Sequence, residues 1–182
     1  MTAPAPQSLD ILRNSKIQYP AKLDQISYAK SLVGLFQVKL ENENQKSAYV
    51  NPGSAIFSIA DNQTKGMCSS SAWSVVMNSE WSHSHFDKSD EAIIDAIALE
   101  LIHHYSGKII IEKAQLKKWK FSHPLSKSTE KFFALNDGKI ILAGDGFTSG
   151  SLRGAVDSSQ AVADYLKLRL NKKMPIYLNG GD

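Results

Sequence analysis

A chain of 182 residues with a single cysteine, Cys68, closes no disulfide within itself and suits a reducing compartment. No apolar run approaches the roughly 20 residues of a membrane helix. The start, M-T-A-P-A-P-Q, has neither the basic segment nor the apolar stretch of a signal peptide. The expectation is a cytoplasmic protein with no membrane partner. Charge of one sign is scarce as well. A net charge of +3, with no Lys/Arg block interleaved with aromatics, gives no reason to expect nucleic acid as a partner. His83, His85, His103 and His104 have no CxxC and no HExxH beside them, so no metal site is expected. Ser149, Ser151, Ser158 and Ser159 form no G-x-S-x-G, and Cys68 has no histidine nearby in sequence to activate it. There is also no strand followed by G-x-G-x-x-G, the phosphate-binding turn of a dinucleotide fold.

What is present reads as strands with helices between them. Gln7 to Asn14 is expected as a short helix with Leu9, Ile11 and Leu12 inward, broken at Tyr19-Pro20. Ser31 to Leu40 is an apolar run that ends in alternation, hence a strand. Glu41 to Lys46 reads as a turn, Ala48 to Val50 as a short return strand, and Asn51-Pro52-Gly53 as a second turn. Ile56 to Ala60 and Ala72 to Asn78 are further strands. If Ser82 to His85 is also extended, His83 and His85 share one face. Ser89 caps a helix with Asp90 and Glu91 in its first turn. Its stripe is Ile93, Ile94, Ile97, Leu101 and Ile102, and Gly107 ends it. Lys108 to Lys113 and Leu116 to Ser122 are expected as two strands, the second stopped by Pro124. Phe132 to Leu135 pairs with Ile140 to Ala143 across Asn136-Asp137-Gly138. This is an α+β layout, a mixed and mostly antiparallel sheet with helices on one face.

The stretch that organises the rest is Lys139 to Leu170. A buried strand, Ile140 to Ala143, stops at Gly144-Asp145, and a loop rich in Gly, Ser and Thr opens into a helix near Arg153. Small residues let a ligand approach the backbone, and a helix start offers it unpaired N–H groups and a positive dipole end.

A-G-D-G-F-T-S-G-S-L-R-G-A-V-D-S, within this stretch, resembles the C-terminal flavin motif of the FAD-dependent amine oxidases, most closely the renalase-like branch. K-W-K-F-S-H-P at Lys118 to Pro124 is similar to that branch's RWRYAxP strand, and T-A-P-A-P-Q to its TxPxPQ entry. The resemblance implies a substrate-domain-like region over residues 1–137, a flavin-contacting strand, loop and helix over 138–170, and a tail over 171–182. It also implies hydride transfer from an amine or a dihydronicotinamide to FAD. The N-terminal Rossmann half of that family has no counterpart here, so FAD is expected in the complete protein and little turnover from this chain alone. Either a separate nucleotide-binding half or self-association would supply the missing contacts. The alternative is a non-catalytic binding or assembly module.

The resemblance assigns Gly144, Asp145, Leu152, Arg153, Gly154 and Ala155 to the cofactor. Asp145 would accept from the ribityl chain; otherwise it is a turn residue bonding its own backbone. Backbone N–H groups of Leu152 to Ala155 would face the pyrimidine edge of the ring and stabilise the charge that reduction places there, with Gly154 and Ala155 small to admit it. Arg153 either meets that edge or solvates the helix start. Trp119, Phe121 and His123 are the expected substrate contacts. An aromatic pair filling a core is the bland reading of the first two. No catalytic residue is assigned.

Overall fold

The computed structural model describes residues 1–40, 48–49, 54–105 and 109–173. The turns expected at 41–46 and 51–53, the end of the return strand at Val50, the stop at Gly107, the strand start at Lys108 and the tail beyond 173 lie outside these residues. The chain divides into two compact units, Ala29–Ser122 and Met1–Tyr28 with His123–Asp182. It passes from one to the other inside two strands, β1 (Ser27–Leu40) and β5 (Ile109–Ser126).

Ala29–Ser122 is built on a five-stranded sheet in the order β2-β3-β4-β1-β5, with β2 at Ala48–Tyr49, β3 at Ile56–Asp61 and β4 at Ala72–Met77. The β1/β4, β3/β4 and β2/β3 pairs are antiparallel. Side chains alternate across the sheet, so Leu32, Phe36 and Val38 of β1 and Trp73, Val75 and Met77 of β4 share its buried face. Ile93, Ile97 and Leu101 of α3 (Asp90–His104) cover that face. The helix lies close enough that a Cβ on Gly34 would sit 3.1 Å from Ile97 Cγ2 and inside the ring of Phe36. Ser89 caps α3 as expected, accepting from the Ala92 N–H. Ile102 was expected in the stripe but is 49% exposed. At 3.6 residues per turn it points about 140° away from Ile97.

Two departures from the sequence reading matter here. Ser79–His85 is helix α2, not strand: the Asn78 side chain accepts from the Trp81 N–H and starts a helix directly after β4. On a helix His83 and His85 point apart, and His85 stacks on Trp81 with centroids 3.9 Å apart. The buried Ser82 hydroxyl accepts from the backbone N–H of Leu32, which docks α2 on β1. The second departure is β5, a single strand that runs through Pro124. It lies at the sheet edge, the place in a sheet where a strand tolerates proline.

In the other unit α1 (Ala5–Asn14) begins two residues earlier than expected, with Pro4 at its cap position. It buries Ala5, Leu9 and Leu12, while Ile11, expected inward, is 54% exposed because it lies off the arc they share. A short 3-10 turn, Ala21–Gln25, buries Leu23. The hairpin forms as expected from β6 (Phe133–Leu135) and β7 (Ile140–Leu142), with Asn136, Asp137 and Gly138 all at positive φ. Leu135, Leu142 and Phe147 join the α1 side chains, Leu23 and Ile26 in one core. Helix α4 (Leu152–Lys173) closes the unit, and its Arg169 guanidinium bonds the Asp137 carbonyl at the hairpin turn. Met1 lies along β7: its ammonium donates to the Ile141 carbonyl at 2.6 Å, and its carbonyl accepts from the Ala143 N–H at 3.1 Å.

Candidate functional site

Two residues beyond β7 comes Gly144, whose φ of 147° is a conformation that L side chains rarely adopt. Its N–H donates to the hydroxyl of Ser158 at 3.1 Å. Ser158 is fully buried on α4, so strand end and helix are tied directly. Asp145 follows. Its Oδ1 accepts from the Tyr28 hydroxyl at 2.8 Å. An Asx turn would instead take the N–H two residues on, but the Phe147 N–H goes to the Gly144 carbonyl at 3.3 Å. The carboxylate is engaged across the unit, not by its own turn.

Burial raises the Tyr28 phenol well above its usual value. The Asp145 carboxylate adds to this by accepting from the neutral phenol and repelling the phenolate, while the backbone of Ala5 and Gly146 partly offsets the shift. Tyr28 is therefore a neutral donor across the physiological range. Next to the pair, Gly146 has no room for a side chain: a Cβ would lie 2.7 Å from the Tyr28 hydroxyl and 3.0 Å from Ile26 Cγ2.

The loop then turns back over the helix start. Phe147 is buried and its ring lies 6.1 Å from that of Phe133. Ser128 clamps the loop backbone, donating to the Gly146 carbonyl and accepting from the Thr148 N–H, both at 2.9 Å. Thr148 and Gly150 take positive φ to complete the reversal. Ser151 acts as the cap of α4: its carbonyl accepts from the Ala155 N–H at 3.0 Å and its hydroxyl more weakly from the Gly154 N–H at 3.4 Å. A Cβ on Gly154 would lie 2.8 Å from the Phe147 carbonyl and 2.9 Å from Ser149 Oγ. Gly154 is small because its own loop packs on it. Leu152 is 84% exposed, and the Arg153 guanidinium reaches Asp157 one turn on at 3.7 Å, a surface pair of small energetic weight.

Gly144, Asp145, Leu152, Arg153, Gly154 and Ala155 thus come together as one loop and helix start within one unit. His123 opens the second segment of that unit. Trp119 and Phe121 belong to the other unit; Trp119 is 57% exposed, so it fills no core, and Phe121 is half-buried with the Lys120 ammonium 5.4 Å from its ring centroid. Tyr28 and Ser158 are the residues that sequence reasoning missed. Tyr28 lies 117 residues from Asp145, and no local pattern joins them. Among the described residues no group of three or more His, Cys, Asp or Glu side chains converges as a metal would need, and no helix is long and apolar enough to cross a membrane.

No protein-family model matches the sequence, and a search of curated proteins finds no match either. Among solved structures the chain is similar to a protein from Exiguobacterium sp. 255-15 described as a "putative protoporphyrinogen oxidase", with a TM-score of 0.64 at 14% sequence identity. The overlay takes in 92% of this chain and 40% of that one, so the chain spans well under half the length of its structural neighbour. At this identity the likeness establishes the fold.

Proposed function

We propose that this chain is the substrate-sheet and C-terminal flavin-contacting portion of an FAD-dependent oxidoreductase of the amine-oxidase and renalase kind. The observation that carries the reading is the strand–Gly-Asp–loop–helix of 140–155, folded as a single element in a chain whose fold is shared with a protein named as an oxidase. A name that describes an oxidation is consistent with the reaction class that the sequence motif implies.

The residues present suit one end of the cofactor. Asp145 has a carboxylate oxygen beyond the one held by Tyr28, and the first turn of α4 carries N–H groups with no intrahelical acceptor by position. Asp145 would hold the ribityl chain, and Leu152 and Arg153 would present N–H groups to the ring, those of Gly154 and Ala155 being taken by Ser151. The flavin itself would supply hydride acceptance at its ring, from an amine or a dihydronicotinamide. No residue fits the adenosine and pyrophosphate end, because the sequence has no G-x-G-x-x-G. That end falls to a nucleotide-binding half outside this sequence.

Helix α4 supports the need for such a partner. Leu152, Val156, Leu166 and Leu170 are exposed, and with Ser159 and Ala163 they recur at intervals of four and three residues along one stripe. An exposed apolar stripe of this length is what a docking helix presents. It equally favours the second reading, an assembly module that pairs with another chain without catalysis.

Riboflavin titration of the chain, followed by flavin fluorescence, tests the first reading. Asp145→Ala is expected to weaken binding about tenfold, the worth of a hydrogen bond to a charged group. Unchanged affinity in that variant contradicts the flavin reading.

A further inference from the structure

We infer that Tyr28 is a positioning residue for the cofactor loop: its hydroxyl holds Oδ1 of Asp145 and so presents Oδ2 to a hydroxyl of the bound ligand's polyol chain. The inference rests on the flavin reading above. Three observations carry it. The Tyr28 hydroxyl donates to Oδ1 at 2.8 Å, and among the described residues no other side chain bonds the carboxylate. The Asx turn that an aspartate in such a loop would otherwise form is not made, since the Phe147 N–H is committed to Gly144. Gly146 leaves no space between loop and phenol, its Cβ position lying 2.7 Å from the hydroxyl, so Tyr28, Asp145 and Gly146 interlock.

A carboxylate with one oxygen fixed by a neutral donor keeps its charge and aims its other lone pairs in one direction. The raised pKa of Tyr28 keeps that donor protonated under all ordinary conditions. Without the phenol the carboxylate is free to rotate and to bond its own loop, so its preference for a ligand hydroxyl should fall even though the charge remains.

The test compares riboflavin, which carries the ribityl hydroxyls, with lumiflavin, which has the same ring and none of them. The full 182-residue chain is titrated with each, and flavin fluorescence and the shift of the bound absorption band are read. The expected result is about tenfold tighter binding of riboflavin by the unmodified chain, falling to within about twofold in Tyr28→Phe, with lumiflavin affinity unchanged. Adding Asp145→Asn to Tyr28→Phe should then have no further effect on the ratio. Should Tyr28→Phe not fold by circular dichroism, Asp145→Glu, which keeps the charge but displaces it from the phenol, carries the same expectation. A tenfold preference retained in Tyr28→Phe overturns the role of Tyr28 and leaves the flavin reading standing; equal binding of both flavins by the unmodified chain overturns the role of Tyr28 together with the ribityl contact of Asp145. Binding of neither flavin overturns both.

Discussion

The backbone carbonyl of Phe147 occupies the place where a side chain on Gly154 would begin, 2.8 Å from its Cβ position. The loop after β7 is therefore folded onto the first turn of α4 as a packed element, and the helix N-terminus is held where its free N–H groups are displayed. Gly154→Ala forces backbone to move from backbone. The expected loss is about 2 kcal/mol, seen as a fall of about 5 °C in the thermal midpoint. Ala155→Gly, one position on, should cost only helix propensity, about 1 kcal/mol.

Ser158 links the same two elements from inside the helix, its buried hydroxyl accepting from the Gly144 N–H. Ser158→Ala leaves that N–H without an acceptor and should cost about 1 to 2 kcal/mol in urea unfolding. Ser159→Ala is the control, because the Ser159 hydroxyl is exposed and bonds the Val156 carbonyl of its own helix. Equal losses in the two variants would show that the tie between β7 and α4 contributes nothing.

Tyr28 gives a pH signature. Its folded phenol ionises later than the unfolded one, so the unfolded chain gives up the proton first as pH rises. The stability that follows is complete below about pH 10 and is lost as pH rises beyond it. Urea midpoints measured from pH 8 to 11 should fall more steeply for the unmodified chain than for Tyr28→Phe. Parallel curves would place Tyr28 in an environment like that of an ordinary surface tyrosine.

The stripe on α4 predicts association. Val156→Lys with Leu166→Lys places charge in its middle, and both positions are exposed, so the fold should be kept. If the stripe pairs with a second copy, light scattering should show a dimer for the unmodified chain and a monomer for the variant. A monomer in both cases removes self-assembly and leaves the stripe to a separate nucleotide-binding half.

Where local chemistry decided structure, the sequence was sufficient. Ser89 with its following acids, the alternation in β1 and the Asn136-Asp137-Gly138 turn each act through neighbours a few residues away, and each formed as read. α2 was missed because the cap at Asn78 lies inside what looks like the end of a strand. β5 was stopped short at Ser122 because proline is a strand breaker only where the N–H is needed, and sheet position is invisible in a linear pattern. The candidate loop was legible as small residues between strand and helix. The reasons for those residues were not. Gly154 and Gly146 are small because of contacts with Phe147, Ser149 and Tyr28 that only the folded chain creates.

The most direct test of the account is to titrate the chain in parallel with FAD and with riboflavin. The account gives the chain contacts to the ring and polyol end of the cofactor and none to the adenosine end. Both flavins should therefore bind, with affinities within about threefold of each other, because the adenosine adds only what a missing half would recognise. Binding of FAD a hundredfold tighter than riboflavin, or no binding of either, would contradict it.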